Sequence, residues 1–392
     1  MNILVLGNGF DLAHGLPTTY KDFLKFIDET HIYYNHFYKE KNKYPSDDDF
    51  EEFPFFDYLV KLENDNRGDL IESIYQLSHD NGWIRHFKCI SFGENWIDFE
   101  KEISRIVKIL DLLEKNSYKV SDADPLKEDT FIVAYGYIDI LSNFVPDIYQ
   151  RAISIEYQTE YQLSSSYLPG IRNSILTDLN NLTRCLEIYL IVVSEYFECH
   201  TMLPDIKELE IDKVLSFNYT DTYKKLYGKD YPHIEYDYIH GKTDINRTVK
   251  TCNLVLGIDE YLSGDEKNTN TSLIQFKKFY QRIYKRTGCN YMGWLSEYER
   301  GSDIMASYGG TNEEHLEIYI FGHSLDITDK DILRDLIYNK YSRTTIYYQN
   351  DDIYAKKIVN LVRVIGQDSL ISAVNRVNPK IVFKKQQDPV YY

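Results

Sequence analysis

"NILVLGNGFDLAHGLPTTY", Asn2 to Tyr20, is the stretch whose reading decides the fold. Ile3 to Leu6 are apolar without interruption and run into Gly7-Asn8-Gly9. A short run that is apolar throughout suits a parallel strand covered on both faces, because a solvated face would demand alternation. From Thr18 the spacing changes. Phe23, Phe26 and Ile27 recur at helical intervals, and Thr18 or Thr19 is placed to cap that helix. The glycine turn therefore joins a buried strand to a helix. Glycine lets backbone N–H groups approach a ligand, and the helix that follows offers its positive end to an anion. A tight turn without a ligand accounts for the same residues. The usual dinucleotide fingerprint needs a third glycine three residues after the second; Leu12 stands there and the next glycine is Gly15, so that motif is not met.

Beyond this stretch the chain divides by pattern. Tyr44 to Asp49 is a polar breaker containing a proline. From about Phe55 to Met202 the periodicity is helical. "WIDFEKEISRIVKILDLLEK" sets Ile103, Ile106, Val107, Leu110 and Leu113 on one stripe, and "NSILTDLNNLTRCLEIYLIVVSEYF" continues for many turns without glycine or proline. After Pro204 strand signals return in "KVLSFNYT", "YDYIHGK", "CNLVLGID", "HLEIYIFGHSLD", "TTIYYQN" and "PKIVFKKQQ", with helical stretches between them. Strands alternating with helices imply an α/β fold with a mainly parallel sheet covered on both faces. The expected division is a discontinuous sheet domain, 1–50 and 204–392, interrupted by an all-helical insertion, 51–203.

The totals narrow the function classes. Acids outnumber bases 61 to 44, a net charge of −17, which repels a phosphate backbone and makes broad nucleic-acid binding a poor expectation. Five cysteines with no C-x-x-C pair read as reduced thiols without a structural zinc site. The most apolar late stretch, Leu186 to Phe197, is broken by Glu187, Ser194 and Glu195 and is too short to span a bilayer. No basic leader with an apolar core precedes the first strand, so a cytoplasmic protein is expected. The 36 tyrosines have no physical reading.

In open α/β sheets, ligands bind beyond the carboxyl ends of the strands. Four candidate strands end in polar sets: Gly7-Asn8-Gly9-Phe10-Asp11, Asn218-Tyr219-Thr220-Asp221, His240-Gly241 and Gly322-His323-Ser324. Each also has an ordinary reading, as a cap, a turn or a structural histidine; their shared position is the stronger signal. "NWIDFE", Asn95 to Glu100, is expected to be a helix start, Asn95 capping and Asp98 and Glu100 favoured by the helix dipole, in preference to the alternative that Glu100 or Asp98 reaches over the crevice. The basic helix at 276–288, with Lys277, Lys278, Arg282, Lys285 and Arg286, is expected to present solvated charges over the core.

"LVLGNGFDLAHGLPTTYKDFL" closely resembles the opening of the AbiH family of bacterial phage-resistance proteins. "NWIDFEKEI", "SFNYTDTYKKLY", "YIHGK", "LVLGID" and "YIFGHSLDITDKDIL" are similar to that family's blocks and stand in the expected order. A more distant resemblance is to sirtuin-like NAD-binding domains. Gly7-Asn8-Gly9 with Gly15-Leu16-Pro17, then Asn218, Asp221, His240-Gly241, and Gly322 with Ser324 resemble that pattern in order. It implies a Rossmann-like domain with NAD in the crevice, His240 as base and Asn218 near the nicotinamide ribose. Three departures stand out. Asp11 replaces a hydroxyl residue, two residues and not one separate Asn218 from Asp221, and the zinc-binding cysteine pairs are absent.

Chemistry follows from that set. NAD carries a cationic pyridinium that leaves as neutral nicotinamide, so cleavage needs no general acid and no metal. A near-neutral histidine can activate water or a ribose hydroxyl, and Asn218 and Asp221 can orient the ribose and stabilise positive charge. Gly7, Asn8, Gly9, Phe10, Asp11, Gly15, Gly241, Gly322, His323 and Ser324 are the expected nucleotide-binding positions. The function expected is NAD hydrolysis or ADP-ribosyl transfer during phage attack, with a phage or host protein as trigger and a homo-oligomer as a further expectation. An alternative is a module that binds NAD or ADP-ribose, or a partner, without cleavage. A third is a metal-dependent nuclease using Asp11, Asp326 and Asp329.

Overall fold

A computed structural model describes residues 1–39, 51–90, 98–116, 130–155, 157–308 and 315–391. Among them six strands form one parallel sheet: β1 (Asn2–Leu6), β2 (Lys213–Ser216), β3 (Glu235–Tyr238), β4 (Leu316–Phe321), β5 (Ser342–Tyr348) and β6 (Ile381–Lys385). Their spatial order is β3-β2-β1-β4-β5-β6. This is the doubly wound dinucleotide-binding order, in which the chain reverses direction between β1 and β4 and leaves a crevice beyond the strand ends. The expected α/β, Rossmann-like fold is present. "CNLVLGID" is the exception among the strand expectations. Leu254, Val255 and Leu256 are buried, but the segment stays outside the sheet and makes a single bridge from Ile258 to Lys277.

The central strand explains itself. Ile3, Leu4 and Val5 are fully buried. Ile3 and Val5 join the apolar cluster of Leu215, Ile318, Ile320 and Leu333 on one face, while Leu4 and Leu6 join Phe10, Val214 and Tyr223 on the other. Register aligns the strand ends: Leu6 lies opposite both Ser216 and Phe321, and Ser216 opposite Tyr238. The four polar sets therefore leave the sheet at one level.

Helices α1 (Gly9–Ala13), α2 (Tyr20–Tyr33), α3 (Phe56–Asn64), α4 (Gly68–Ser78), α5 (Gly82–Ile90), α6 (Phe99–Asn116) and α7 (Leu168–Tyr196) precede β2. Thr19 caps α2 through a reciprocal pair with Asp22. At 29 residues α7 is about 43 Å long, and it forms the spine of the helical layer. All five residues of the stripe on α6 are buried in the core it shares with α7. That core also takes Phe23, Phe26 and Ile27 from α2, and Leu256, Ile258 and Phe276 from beyond β2, so sheet and helical layer meet over a wide front. Contrary to the expected all-helical insertion, within 51–203 a three-stranded antiparallel sheet (130–134, 160–164, 153–155) stands beside the helices, and 160–164 alternate more and less buried side chains at the period of a strand. Among the described residues no helix is long and apolar enough to cross a membrane.

Candidate functional site

The two glycine-bearing turns lock into each other. Gly7 N donates to Phe321 O at 3.1 Å, and Gly9 N to Gly322 O at 2.9 Å. Gly322 holds φ +71°, and a Cβ there would lie 2.2 Å from Phe10 N; a Cβ on Gly9 would lie 2.8 Å from Gly322 Cα. Close backbone crossing thus requires the glycines, and these two amides are already engaged. Asn8 binds Thr18 through both ends of its amide, tying the turn to the start of α2. Phe10 is core, ringed by His14, Tyr223, Tyr227 and Phe321. Gly15, at φ +81°, sits under Phe197. Ser324 is exposed beside this crossing.

Beyond the crossing the polar residues sort into two groups, on either side of the bend that follows β2. From Ser216 to Thr220, the residues Ser216, Asn218 and Thr220 face one side, with Asp11, Asp221, Tyr236 and Tyr238, around a void of about 10 Å³. Asp11 is buried here and accepts from Thr220 Oγ1 at 2.6 Å, while its Oδ1 has no hydrogen-bond partner. Burial raises its pKa to about 6 against the opposing hydrogen bonds from Thr220, Thr222 and Asn218. Asp221 is paired instead with Lys225 (3.2 Å) and Lys242 (3.3 Å); despite burial, these ammoniums hold its carboxyl below the usual range.

Phe217 and Tyr219 face the other way, toward His240. The ring of Phe217 lies 5.5 Å from that of His240 and 4.2 Å from that of His323. His323 Nδ1 accepts from Leu325 N at 2.9 Å, which leaves the ring proton on Nε2, 3.3 Å from Asp329 Oδ2. Leu325 itself is held at φ +60°, an uncommon conformation for a branched residue and a mark of strain at this edge. His240 Nε2 lies 3.3 Å from Asp329 Oδ1, but off the line of a hydrogen bond, so this buried nitrogen has no hydrogen-bond partner. Burial and the charge of Lys278 push the imidazole below its ordinary pKa against the pull of Asp329, so His240 is neutral near pH 7.

Two further residues complete this group, and both correct the sequence reading. Glu100 does not serve only the start of its helix. Asp98 caps α6 by accepting from Lys101 N at 3.1 Å, while Asn95 lies outside the described residues. Glu100 reaches Lys278 Nζ at 2.9 Å. The basic helix is likewise inverted. Lys278, at the start of α8 (Lys278–Lys285), is 3% exposed and bridges Glu100 to Asp329 Oδ1 at 3.3 Å, and buried Lys277 pairs with Glu260 at 2.8 Å. Phe279, Ile283 and Tyr284 are the exposed residues of that helix. Acidic partners on three other segments draw the lysines inward, a signal that periodicity does not carry. Burial alone would raise Asp329; Lys278, His240 and His323 together hold its carboxyl far below the usual range. Burial and the like charge of Asp329 raise Glu100 to about 7 in spite of Lys278.

Of the sequence candidates, the structure brings His240 and His323 together and gathers Asn218, Asp221 and Asp11 separately. The three carboxylates of the nuclease reading have different partners: Asp11 has Thr220, Asp326 caps its own turn through Thr328 N, and Asp329 has the histidines and Lys278. Among the described residues no group of three His, Cys, Asp or Glu is placed to hold a metal ion.

The family model described as "Bacteriophage abortive infection AbiH" matches residues 3–349. The chain belongs to the AbiH family. No curated protein and no solved structure matches it. The AbiH match spans β1 to β5 and takes in both polar groups, from Gly7 and Asp11 through Glu100, His240 and Lys278 to Asp329; β6 lies beyond it.

Proposed function

We propose that this chain binds an NAD-type nucleotide at the carboxyl edge of the sheet and cleaves its N-glycosidic bond, with His240 as the base. Membership of the AbiH family implies a role in abortive infection, and loss of cellular NAD is a chemistry that would serve it. The carrying observation is His240: buried, neutral, with an unpartnered Nε2, just past the carboxyl end of β3 and facing Asp329, which follows β4. In the reaction the bond between ribose C1′ and the pyridinium nitrogen breaks, and its electron pair leaves with neutral nicotinamide. A water oxygen bonds to C1′ and its proton passes to His240. Asp329 stabilises the imidazolium that forms. Asn218 and Asp221, on the far side of Phe217, are proposed as ribose or phosphate contacts and not as partners of His240. Asn8, Gly322 and Ser324 are proposed for the adenosine side.

The purified chain is expected to release nicotinamide from NAD, and His240→Ala to slow that release about 10²–10⁴-fold, the usual worth of a positioned base. Equal rates for the variant and the unmodified chain overturn the assignment. A module that holds the nucleotide without cleaving it is the second reading. It is favoured by the way Glu100 and Lys278 close over Asp329, and bound nucleotide with no nicotinamide released over hours would mark it.

A further inference from the structure

Lys278 is an unusual occupant for a sheet edge. Its ammonium is buried between two carboxylates from different parts of the fold, Asp329 after β4 and Glu100 at the start of α6. Tyr219 and Tyr20 lie close to the same carboxylates, and each phenol is pushed above its ordinary pKa by burial first and by Glu100 and Asp329 in addition. His240 Nε2, unpartnered, lies 3.3 Å from Asp329 Oδ1 on the sheet side. Two anions and an idle imidazole around one cation make a receptor for a cation, and the chain fills it with its own side chain.

We infer that the Glu100–Asp329 pair is the subsite for the cationic pyridinium end of an oxidised nicotinamide nucleotide, and that Lys278 occupies this subsite in the structure described here. The inference rests on the reading of the site as one for NAD. A cationic ring suits a pair of buried carboxylates, and a neutral dihydropyridine has nothing to gain from them. The bridge also spans the sheet and the helical layer, so that ligand and Lys278 compete for the same two carboxylates. Backbone contacts hold the root of Lys278 in place, since its amide donates to Ile258 O at 2.8 Å. Only the four-carbon stem needs to swing for the slot to open.

Calorimetry with carba-NAD, whose carbocycle resists cleavage, tests this in its oxidised and reduced forms, with ADP-ribose as the control that lacks the ring. In Lys278→Met, which keeps the length and loses the charge, the preference for the oxidised over the reduced form is expected to rise about tenfold or more over the unmodified chain, the worth of a charge-assisted contact. Glu100→Gln on top of Lys278→Met removes one of the two anions and is expected to return part of that gain. This double variant keeps the net charge of the unmodified chain, so it carries the test if the single variant fails to melt cooperatively; it is then expected to keep a smaller preference through Asp329. If both forms bind and their ratio is unchanged in the variants, the subsite assignment is overturned and the nucleotide reading stands. If ADP-ribose and both forms of carba-NAD fail to bind any of the proteins, the nucleotide reading falls and takes this inference with it.

Discussion

Asp11 offers a test of whether the opening motif serves a ligand or the fold. It replaces the hydroxyl residue of the pattern it resembles, and its carboxyl is buried against Thr220 with one oxygen unpartnered. Burial lifts its pKa from 3.8 to about 6. The folded protein therefore keeps this proton between pH 4 and 6 while the unfolded chain has released it, so stability falls as pH rises through that window. Below pH 4 both states are protonated and the effect vanishes; above pH 6 the full penalty applies. The distance from 3.8 to about 6 corresponds to a penalty of about 3 kcal/mol. Asp11→Asn keeps an oxygen for Thr220 and turns an NH₂ toward the void shared with Tyr236, whose hydroxyl also lacks a partner. The variant is expected to match the unmodified chain at pH 4 and to exceed it by about 2–3 kcal/mol at pH 8. Urea unfolding, followed by intrinsic fluorescence across that range, measures the difference. Because only the difference between the two proteins is read, Glu29 and Glu100, both raised to about 7, cancel. A constant difference from pH 4 to 8, or a variant less stable at pH 8, refutes the reasoning.

Gly322→Ala places a methyl 2.2 Å from Phe10 N at φ +71°. The left-handed backbone alone costs alanine about 1–2 kcal/mol, and the clash adds to it, so a lower melting temperature and less soluble protein are expected. Lys357 lies buried, donates to His323 O, and is lowered to about 8 by burial. The unfolded chain binds its proton more tightly, so this lysine makes stability rise from pH 8 to 10.5, and Lys357→Met is expected to flatten the melting curves across that range relative to the unmodified chain. Replacing Glu100, Lys278, His240 and Asp329 together by apolar side chains of similar volume is expected to leave the melting temperature equal or higher while removing nicotinamide release. A large fall in melting temperature would identify the group as a structural tie.

The sheet was legible because its signals are local. Uninterrupted apolar runs ending at glycine or at a polar set mark strands buried on both faces, and five of the later runs took their places beside β1. "CNLVLGID" misleads because burial beneath the helical layer makes the same apolar run without a neighbouring strand. The site was half legible. His240 and His323 stand at strand ends, where sequence looks for ligands. Asn218 follows a strand end too, but the chain bends past Ser216, and spacing along it does not reveal that Asn218 turns to the void beside Asp11 while Phe217 and Tyr219 face His240. Glu100 was set aside and Lys278 missed for another reason. Each has a satisfying local explanation, a helix dipole or a solvated lysine, and only tertiary approach over 178 residues of chain shows that they are partners.

The two polar groups differ in what they require. The glycines at 7, 9 and 322 follow from two backbones crossing within van der Waals contact, and a protein with no ligand would need them as much. Their presence is therefore weak evidence for a nucleotide. Asp329 and its neighbours are of another kind. Desolvating charges costs several kcal/mol per ion, and well-packed apolar side chains hold layers together as firmly. An idle imidazole nitrogen in such a place adds a further cost of about 1–3 kcal/mol. Stability does not call for this arrangement, whereas the cation site proposed above would. On that proposal a ligand acts where the sheet and the helical layer share one buried lysine, and not at the glycine turn.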